Sequence, residues 1–399
     1  MPTTQLDARS VARSAIDKLR AGDAAGARAL FEQLVAAGVA DASVFHCLAQ
    51  ACGALGEHVA AVKAVDQALA IKPANVYSLL LKADLLSAAG DGRGATAFYK
   101  GALKAAPADA HRTPELDAEL GRAQAMIAHY GELFSAHLAA RLKSAGLDDS
   151  RASRRFGHSL DLLLGKRQVY PQSPRFFYFP GLPSIEFFER DDFPWLDKVE
   201  AAFEDIRTEL RALMRDENAF EPYVQSEAGM PMLKQGGLHN NRDWSAFYLW
   251  KNGEFMADNA ARCPRTLAAL ADVPLSAVPG RSPSILFSLL RPGARIPPHT
   301  GVLNTRMICH LPLIVPPGCA LRVGNETREW VEGKAWVFDD SIEHEAWNNS
   351  GQTRVILLFE AWRPELSAIE RELVTAMFGA IDDYNQDPRG KGQEWEWDL

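Results

Sequence analysis

Residues 22–31 read GDAAGARALF, and the segments 56–65 (GEHVAAVKAV) and 90–99 (GDGRGATAFY) repeat this arrangement at a spacing of 34 residues. Each segment opens on a glycine, has an alanine five positions later and ends on a large apolar residue. A fixed period of this length is typical of stacked helical units, each of which buries its apolar face only against its neighbours. The sequence therefore predicts helical hairpins over residues 1–110.

Residues outside these segments keep the same register. Seven positions before each glycine stands another small residue: Ala15, Ala49 and Ala83. Pro73 and Pro107 follow the second and third glycines by 17 residues and are predicted to end the second helix of a pair. The pattern resembles the tetratricopeptide repeat over about residues 8–110. The resemblance implies a concave surface that often binds peptides or proteins, and a purely structural role for the repeats stays open.

The chain changes character after the repeats. Residues 111–167 keep a helical spacing of apolar residues and are predicted to form a helical linker. At residues 169–174, which read VYPQSP, prolines and aromatic residues become dense, and the prolines break any helix. We therefore place the start of a further domain near residue 168 and expect it to cover residues 168–399.

Composition limits the partners and the location. A net charge of −8 argues against a protein that binds nucleic acid by neutralising phosphates. No run of apolar residues reaches the 18 or so that a membrane span needs, so no stable membrane insertion is expected. The 5 cysteines are scattered without CxxC pairs, which suits reduced thiols and predicts a cytoplasmic protein.

Residues 284–362 read as short strands separated by turns. The predicted strands are 284–290, 304–311, 320–323, 335–338 and 354–362. Many short strands with turns at this spacing favour an antiparallel barrel or jelly roll. The predicted fold class is thus multidomain α + β, with an N-terminal α-helical solenoid followed by a jelly-roll domain.

Two histidines lie beside predicted strand ends. His299 is placed in a loop before the strand 304–311, and His344 in a turn beyond the strand 335–338. Neither lies on an apolar helix face, where a buried structural histidine is usual. Imidazoles at the mouth of a barrel are reasonable metal ligands, although this spacing alone leaves a structural role open.

The strand positions also suggest a binding site for an anion. A period of two puts Arg306 and His310 on one face of their strand, where each needs a partner if it is buried. An anionic ligand would supply one. Arg354 opens the last predicted strand and could contribute in the same way; the alternative is a surface salt bridge to Glu343 or Glu345.

Several motifs in this region resemble those of the aspartyl/asparaginyl β-hydroxylase family, over about residues 175–364. They are His299-Thr300-Gly301, His310-Leu311-Pro312-Leu313, Phe338-Asp339-Asp340, His344-Glu345 and Arg354, with Asp243-Trp244-Ser245-Ala246 and Phe287-Ser288 upstream. The resemblance implies a double-stranded β-helix that uses Fe(II), 2-oxoglutarate and O2 to hydroxylate an unactivated carbon.

The resemblance also implies roles for individual residues. His299 and His344 match the two iron ligands of the family. Arg354 and Ser288 match the pair that holds the distal carboxylate of 2-oxoglutarate. His310 matches a residue that contacts the carboxylate nearer the metal.

Two positions depart from expected patterns. The family pattern has an arginine two residues before this last histidine, where the chain has Ile308, and Arg306 is the candidate to replace it. The usual oxygenase triad has an acid two residues after the first histidine, where the chain and the family have glycine, here Gly301. Asp340 is expected either to hydrogen-bond a metal-bound water or to cap the turn before His344.

These features predict a hydroxylase that acts on an aspartyl- or asparaginyl-type side chain of a protein or peptide, which the repeats could recruit. Two alternatives stay open: a hydroxylase of a lipid acyl chain or small molecule, and a non-catalytic repeat scaffold whose oxygenase-like domain only binds a ligand. A cupin-type metal isomerase on the same barrel is disfavoured by the set of family motifs.

Overall fold

A computed structural model of the protein describes residues 7–108, 111–146, 154–216, 218–225 and 240–385. The chain divides into two compact units, residues 1–164 and residues 165–399. The first unit is helical and the second is built on antiparallel sheets. Among the described residues, no helix is both long and apolar enough to cross a bilayer.

The first unit begins with helical hairpins. The helices are α1 (Ala8–Arg20), α2 (Ala24–Ala36), α3 (Ala42–Ala54), α4 (His58–Ile71), α5 (Val76–Ala88) and α6 (Gly92–Ala105). The first helices of the hairpins start at residues 8, 42 and 76, and the second helices at 24, 58 and 92. Both series have the 34-residue period of the sequence, so the predicted hairpins are confirmed. Asp7, Asp41 and Asn75 cap the first helices by accepting a backbone N–H with their side chains.

The repeated residues have the predicted structural roles. Gly22, Gly56 and Gly90 have φ values of +82°, +74° and +79°, the left-handed region that favours glycine after a helix. The repeated alanines are fully buried where the helices approach each other: Ala15, Ala27, Ala49, Ala61, Ala83 and Ala95. The apolar side chains that follow them, Phe31, Val65 and Tyr99, are buried too.

The predicted linker consists of α7 (Pro114–Ser144) and α8 (Arg154–Leu163) among its described residues. The start of α7 is part of the repeat core, because Leu116, Leu120 and Ala123 pack with the apolar residues of α5 and α6. This segment of the linker therefore closes the apolar face that the last hairpin would otherwise expose.

The second unit contains short helices and eleven strands among its described residues. The helices are α9 (Leu196–Ala201), α10 (Phe203–Leu213), α11 (Ala257–Ala260), α12 (Pro264–Ala269) and α13 (Ala368–Asn385). The strands are β1 (Glu221–Pro222), β2 (Trp244–Lys251), β3 (Glu254–Phe255), β4 (Ile285–Leu290), β5 (Arg295–His299), β6 (Arg306–Ile314), β7 (Cys319–Val323), β8 (Glu326–Glu329), β9 (Trp336–Phe338), β10 (His344–Asn348) and β11 (Arg354–Trp362).

The strands form two antiparallel sheets. The larger has the order β1-β2-β4-β11-β6-β9, with β3 paired to β2, and the smaller has the order β5-β10-β7-β8. No strand pairing joins the two sheets among the described residues. The expected antiparallel β domain is confirmed, whereas closure into a jelly roll stays a prediction.

The two faces of the larger sheet have different surroundings. On β6, Met307 and Cys309 pack into an apolar core with Ile206 and Leu210 of α10. Ile308, which points the other way, packs into a second core with residues of the smaller sheet. The predicted alternation along β6 is confirmed, and the face that carries Arg306 and His310 is the one directed to the smaller sheet.

Some strand assignments differ from the sequence-based ones. The predicted set lacked β1, β2, β3, β5, β8 and β10, and β6 continues past Pro312 to Ile314. Pro312 lies beyond the residues that pair with β9, and the pairing of β6 with β11 shifts register beside it. A missing backbone N–H is tolerated at such a position.

Candidate active site

The two predicted metal ligands lie side by side on neighbouring strands of the smaller sheet. His299 is the last residue of β5 and His344 the first of β10, and they are direct partners in the pairing of these strands. Their ring centroids are 4.1 Å apart. The prediction that both lie in loops was wrong, since Pro297 and Pro298 conceal a strand that lies at the edge of its sheet, where proline is accepted.

Both imidazoles are suited to coordinate a metal. Nδ1 of His299 lies 2.8 Å from the carbonyl oxygen of Pro297, and Nδ1 of His344 lies 3.0 Å from that of Ile342. If each Nδ1–H donates to its carbonyl, each Nε2 keeps a lone pair for a ligand. Burial lowers the pKa of His299, and burial together with the neighbouring ring holds the pKa of His344 well below its usual value. Both rings are therefore neutral near pH 7, the form that binds metal.

Gly301 takes the position of the missing acid, and Asp340 fills the space beside it. A Cβ atom built on Gly301 would lie 2.0 Å from Oδ2 of Asp340. The backbone N–H of Gly301 also donates to the carbonyl oxygen of Asp340, at 2.7 Å. Among the described residues, no group of three or more His, Cys, Asp or Glu side chains is arranged to hold a metal. A metal at this site would therefore depend on the two imidazoles and on ligands from outside the protein.

Asp340 is one of three charged side chains in a buried cluster. Its Oδ2 accepts a hydrogen bond from Nη1 of Arg306 at 2.9 Å. Nε of Arg306 lies 3.4 Å from Oε1 of Glu360. The turn before His344 is capped by the neighbouring residue, because Asp339 accepts hydrogen bonds from both the backbone and the hydroxyl of Ser341. The turn-capping alternative for Asp340 therefore finds no support.

Arg354 is a buried cation of a different kind. It is 1% exposed, and its Nη1 lies 3.3 Å from the carbonyl oxygen and 3.4 Å from Oγ of Ser288. Ser288 in turn accepts a hydrogen bond from Nε1 of Trp244 at 3.1 Å. Among the described residues Arg354 has no acidic partner, and burial lowers its pKa to about 10. The alternative of a surface salt bridge is wrong.

The two acids that a surface salt bridge of Arg354 would have used pair with other arginines instead. Glu343 and Glu345 both pair with Arg322, and Glu345 also pairs with Arg295.

His310 lies between aromatic side chains close to Arg354. Its ring centroid is 4.9 Å from that of Phe338 and 6.1 Å from that of Trp330. The guanidinium of Arg354 lies 4.9 Å from the centre of the Trp330 ring. Nδ1 of His310 is buried and has no hydrogen-bond partner among the described residues. Burial and the charge of Arg354 hold the pKa of His310 well below its usual value, so the ring is neutral and can still accept or donate a hydrogen bond.

The structure thus brings the predicted site residues into one buried region. Sequence reasoning assigned no role at the site to three residues that contact them: Trp244, which lies in one of the family motifs, Trp330 and Glu360. The signal for Glu360 was available, since a period of two puts it on the same face of β11 as Arg354. The contacts of the two tryptophans depend on pairings between distant strands, so the motif that contains Trp244 did not indicate them.

Comparison with known proteins covers the part of the chain that contains this site. Residues 200–364 match the family described as Aspartyl/Asparaginyl beta-hydroxylase. This segment of the chain is similar to that family. The match includes every candidate site residue, from Ser288 to Arg354. We refer to the second unit, residues 165–399, as the hydroxylase-family domain because it contains this segment.

Curated relatives cover the same segment. The mouse "Aspartyl/asparaginyl beta-hydroxylase" is 34% identical over 189 residues, 46% of this chain and 25% of that protein. The human "Aspartate beta-hydroxylase domain-containing protein 2" is 31% identical over 211 residues, 52% of this chain and 55% of that protein. The "Ornithine lipid ester-linked acyl 2-hydroxylase" of Rhizobium tropici is 32% identical over 187 residues, 46% of this chain and 62% of that protein. The chain thus spans from 25% to 62% of the length of these relatives.

Solved structures resemble part of the chain weakly. The Sgt2 TPR domain from Aspergillus fumigatus is 15% identical with a TM-score of 0.28, covering 33% of this chain and 88% of that chain. A TM-score this low supports no conclusion about the hairpins. Their description as repeats depends on the 34-residue spacing of α1 to α6.

Proposed function

We propose that the hydroxylase-family domain is an Fe(II)- and 2-oxoglutarate-dependent dioxygenase built on a double-stranded β-helix. The observation that carries this proposal is Arg354, a buried guanidinium without an acidic partner among the described residues. Leaving a buried charge unpaired costs several kcal/mol, so its retention favours a site whose anion comes from a ligand.

A dicarboxylate fits the surrounding groups. One carboxylate would pair with Arg354 and Ser288, whose Oγ is oriented by the indole N–H of Trp244. The other end would approach the two paired imidazoles, with the unpartnered Nδ1 of His310 within the same buried region. 2-Oxoglutarate has this form, with a carboxylate at one end and a chelating 2-oxo acid at the other.

The residues of the chain bind and orient the reactants. His299 and His344 would hold the iron, and Arg354 with Ser288 would fix the cosubstrate in one direction. Asp340 would accept a hydrogen bond from a metal-bound water. When bound, iron, 2-oxoglutarate and O2 supply the oxidising power for hydroxylation. The apolar side chains of the two facing sheets exclude bulk water from the region.

For the substrate we propose an aspartyl- or asparaginyl-type side chain of a protein or peptide, recruited by the repeats. The name of the mouse relative supports the aspartyl or asparaginyl group in this proposal. The Rhizobium tropici relative supports a second candidate, an ester-linked acyl chain of a lipid. Carbon hydroxylation is common to both, and the identity of the oxidised molecule distinguishes them.

Turnover of 2-oxoglutarate tests the activity. The full chain with Fe(II) and O2 should form succinate from 2-oxoglutarate, and the rate should fall to background with His299→Ala. Cosubstrate binding without turnover under any condition would support the scaffold instead. A 16 Da gain on an aspartyl or asparaginyl residue in a peptide library would support the first substrate class. The same gain on an acyl chain in a lipid extract would support the second.

A further inference from the structure

We propose that Arg306 and Glu360 are positioning residues that hold Asp340 beside the metal site, and that Arg306 does not contact 2-oxoglutarate. This role rests on the proposed function, since it concerns the same metal site. It replaces the expectation that Arg306 substitutes for the arginine missing at Ile308.

The first argument is that protein carboxylates already surround Arg306. Its Nη1 donates to Oδ2 of Asp340 at 2.9 Å, and its Nε lies 3.4 Å from Oε1 of Glu360. Oε2 of Glu360 accepts the backbone N–H of Ser284 at 2.9 Å, which fixes the far end of the cluster to the start of β4. Arg306, Asp340 and Glu360 are 6%, 5% and 5% exposed. A guanidinium held by two buried carboxylates is a poor receptor for a third.

The second argument is the contrast with Arg354. Both arginines lie on inward-facing strand positions of the larger sheet, and both are at least nine-tenths buried. Arg354 has no acidic partner among the described residues, whereas Arg306 has two. The same domain thus contains one arginine with no counter-charge among the described residues and one that is paired with two carboxylates.

The third argument is the state of Asp340. Its Oδ2 is held by Arg306, while its Oδ1 is buried without a hydrogen-bond partner among the described residues. A buried acceptor left unpaired is costly, so a donor is expected when the site is filled. Arg306 holds Oδ2, the oxygen nearest to a Cβ built on Gly301, while the unpartnered Oδ1 lies 2.8 Å from that position, two residues after His299.

The fourth argument is the charge balance. With both acids ionised, Arg306, Asp340 and Glu360 carry one net negative charge. That charge and one carboxylate of the cosubstrate would together balance a divalent metal, while Arg354 balances the other carboxylate. If Arg306 bound the cosubstrate and released its acids, two buried carboxylates would lose their cation.

The test measures metal and cosubstrate binding separately in the full chain. Mn(II) affinity is obtained without 2-oxoglutarate, from the electron paramagnetic resonance signal of the free ion. 2-Oxoglutarate affinity is then obtained at saturating Mn(II). Arg306→Lys should weaken Mn(II) binding several-fold, because an ammonium cannot hold Asp340 and Glu360 with the geometry of a guanidinium. It should leave 2-oxoglutarate affinity within about twofold of the parent value.

Two further variants keep the result interpretable. Glu360→Gln, which changes the second acid paired with Arg306, should reproduce the loss of Mn(II) affinity. Glu329→Gln removes the same charge from an exposed position of β8 and should bind both ligands as the parent does. In an Asp340→Asn background, Arg306→Lys should cause little further loss, since residues that act through one partner are not additive.

Three outcomes would overturn the role. Parental Mn(II) affinity with 2-oxoglutarate binding weakened about fivefold or more in Arg306→Lys would make Arg306 a cosubstrate contact. Full additivity with Asp340→Asn would show that Arg306 does not act through Asp340. A parent protein that binds no Mn(II) would remove the proposed function and this role with it.

Discussion

The carboxylate of Asp340 occupies the space that a side chain at position 301 would need, with only 2.0 Å between Oδ2 and a Cβ built on Gly301. In the usual oxygenase triad an acid stands at this position, two residues after the first histidine. Here the acid approaches from the segment before β10 instead, so that a side chain at position 301 would require Asp340 to move.

Replacing Gly301 should therefore disturb Asp340 and its partner Arg306. Gly301→Ala forces the carboxylate to move, and overpacking of a buried site costs about 1–3 kcal/mol of unfolding free energy. Urea denaturation of the variant and the parent measures this loss. We expect Mn(II) affinity to fall at the same time, because the displaced carboxylate no longer lies beside the metal.

Gly351→Ala is the matched control, since a Cβ there would meet nothing within 4 Å and its backbone lies outside the left-handed region. Its effect on stability should be within about 0.5 kcal/mol, as for surface substitutions in general. Equal stability of the two alanine variants would mean that the carboxylate has room to move.

The two paired histidines should both be necessary for metal binding. His299→Ala or His344→Ala should abolish stoichiometric Fe(II) or Mn(II) binding, since imidazole is the strong ligand that this site offers. Circular dichroism should report a folded protein in both cases. Metal titration measures the effect directly.

His310→Ala is the control for this experiment, because its ring contacts Trp330 and Phe338 and is not part of the His299–His344 pair. This variant should still bind the metal and should bind 2-oxoglutarate more weakly than the parent does. A histidine variant at 299 or 344 that still binds metal with the affinity of the parent would exclude that residue as a ligand.

Arg354 should determine cosubstrate affinity. Arg354→Lys removes the planar guanidinium whose two N–H groups match a carboxylate. The affinity for 2-oxoglutarate should fall about tenfold or more, on the order of 1.5–3 kcal/mol for a charge-assisted hydrogen bond. Arg295→Lys, at a largely exposed position paired with Glu345, should leave this affinity unchanged. Equal affinities in the two variants would argue against a carboxylate at Arg354.

The same arginine gives a prediction about stability. Because Arg354 is buried without a counter-charge among the described residues, Arg354→Met should keep or raise the unfolding free energy measured without ligand while abolishing 2-oxoglutarate binding. Thermal unfolding with and without the cosubstrate measures both effects, since a ligand that binds only the folded state raises the midpoint. Strong destabilisation by this substitution would indicate that the arginine has a structural role instead.

The hydroxylase-family domain should fold without the repeats. A chain that begins at Gly165 keeps the ion pair of Arg167 with Glu186 and the backbone contacts of Gln168 with Asn325, which anchor its start. We expect it to bind Fe(II) and 2-oxoglutarate and to turn over the cosubstrate slowly. Loss of action on the true substrate would assign recruitment to the repeats, and unaltered kinetics would make them structural. If the shortened protein is soluble but binds no metal, the hydroxylase-family domain does not function independently of the repeats.

The repeats could be predicted in detail because the information is local. Helix starts, caps and small residues recur at the same spacing, and α1 to α6 follow that spacing without exception. The candidate site was identified from motifs, but its local structure was not. Pro297 and Pro298 made the residues of β5 resemble a loop. Strand propensity does not indicate that a strand lies at the edge of a sheet, where proline is accepted.

The partners of Arg306 show a second limit of the sequence. Asp340 and Glu360 lie 34 and 54 positions away along the chain and reach Arg306 only through the pairing of β6 with β11 and the turn before β10. The pattern along β6 indicated that a buried arginine would need an anion. It contained no information on whether that anion belongs to the protein or to a ligand.

The location of β5 makes the two histidines unequal in one further respect. Among the described residues β5 pairs only with β10, and two of its five residues are prolines that donate no hydrogen bond. β10 is held on both sides, by β5 and β7. Edge strands open more readily than central ones, and local opening exposes their residues long before the whole domain unfolds. Transient fraying of β5 would free His299 while His344 stays in the sheet, so that escape of the metal would begin from the His299 side.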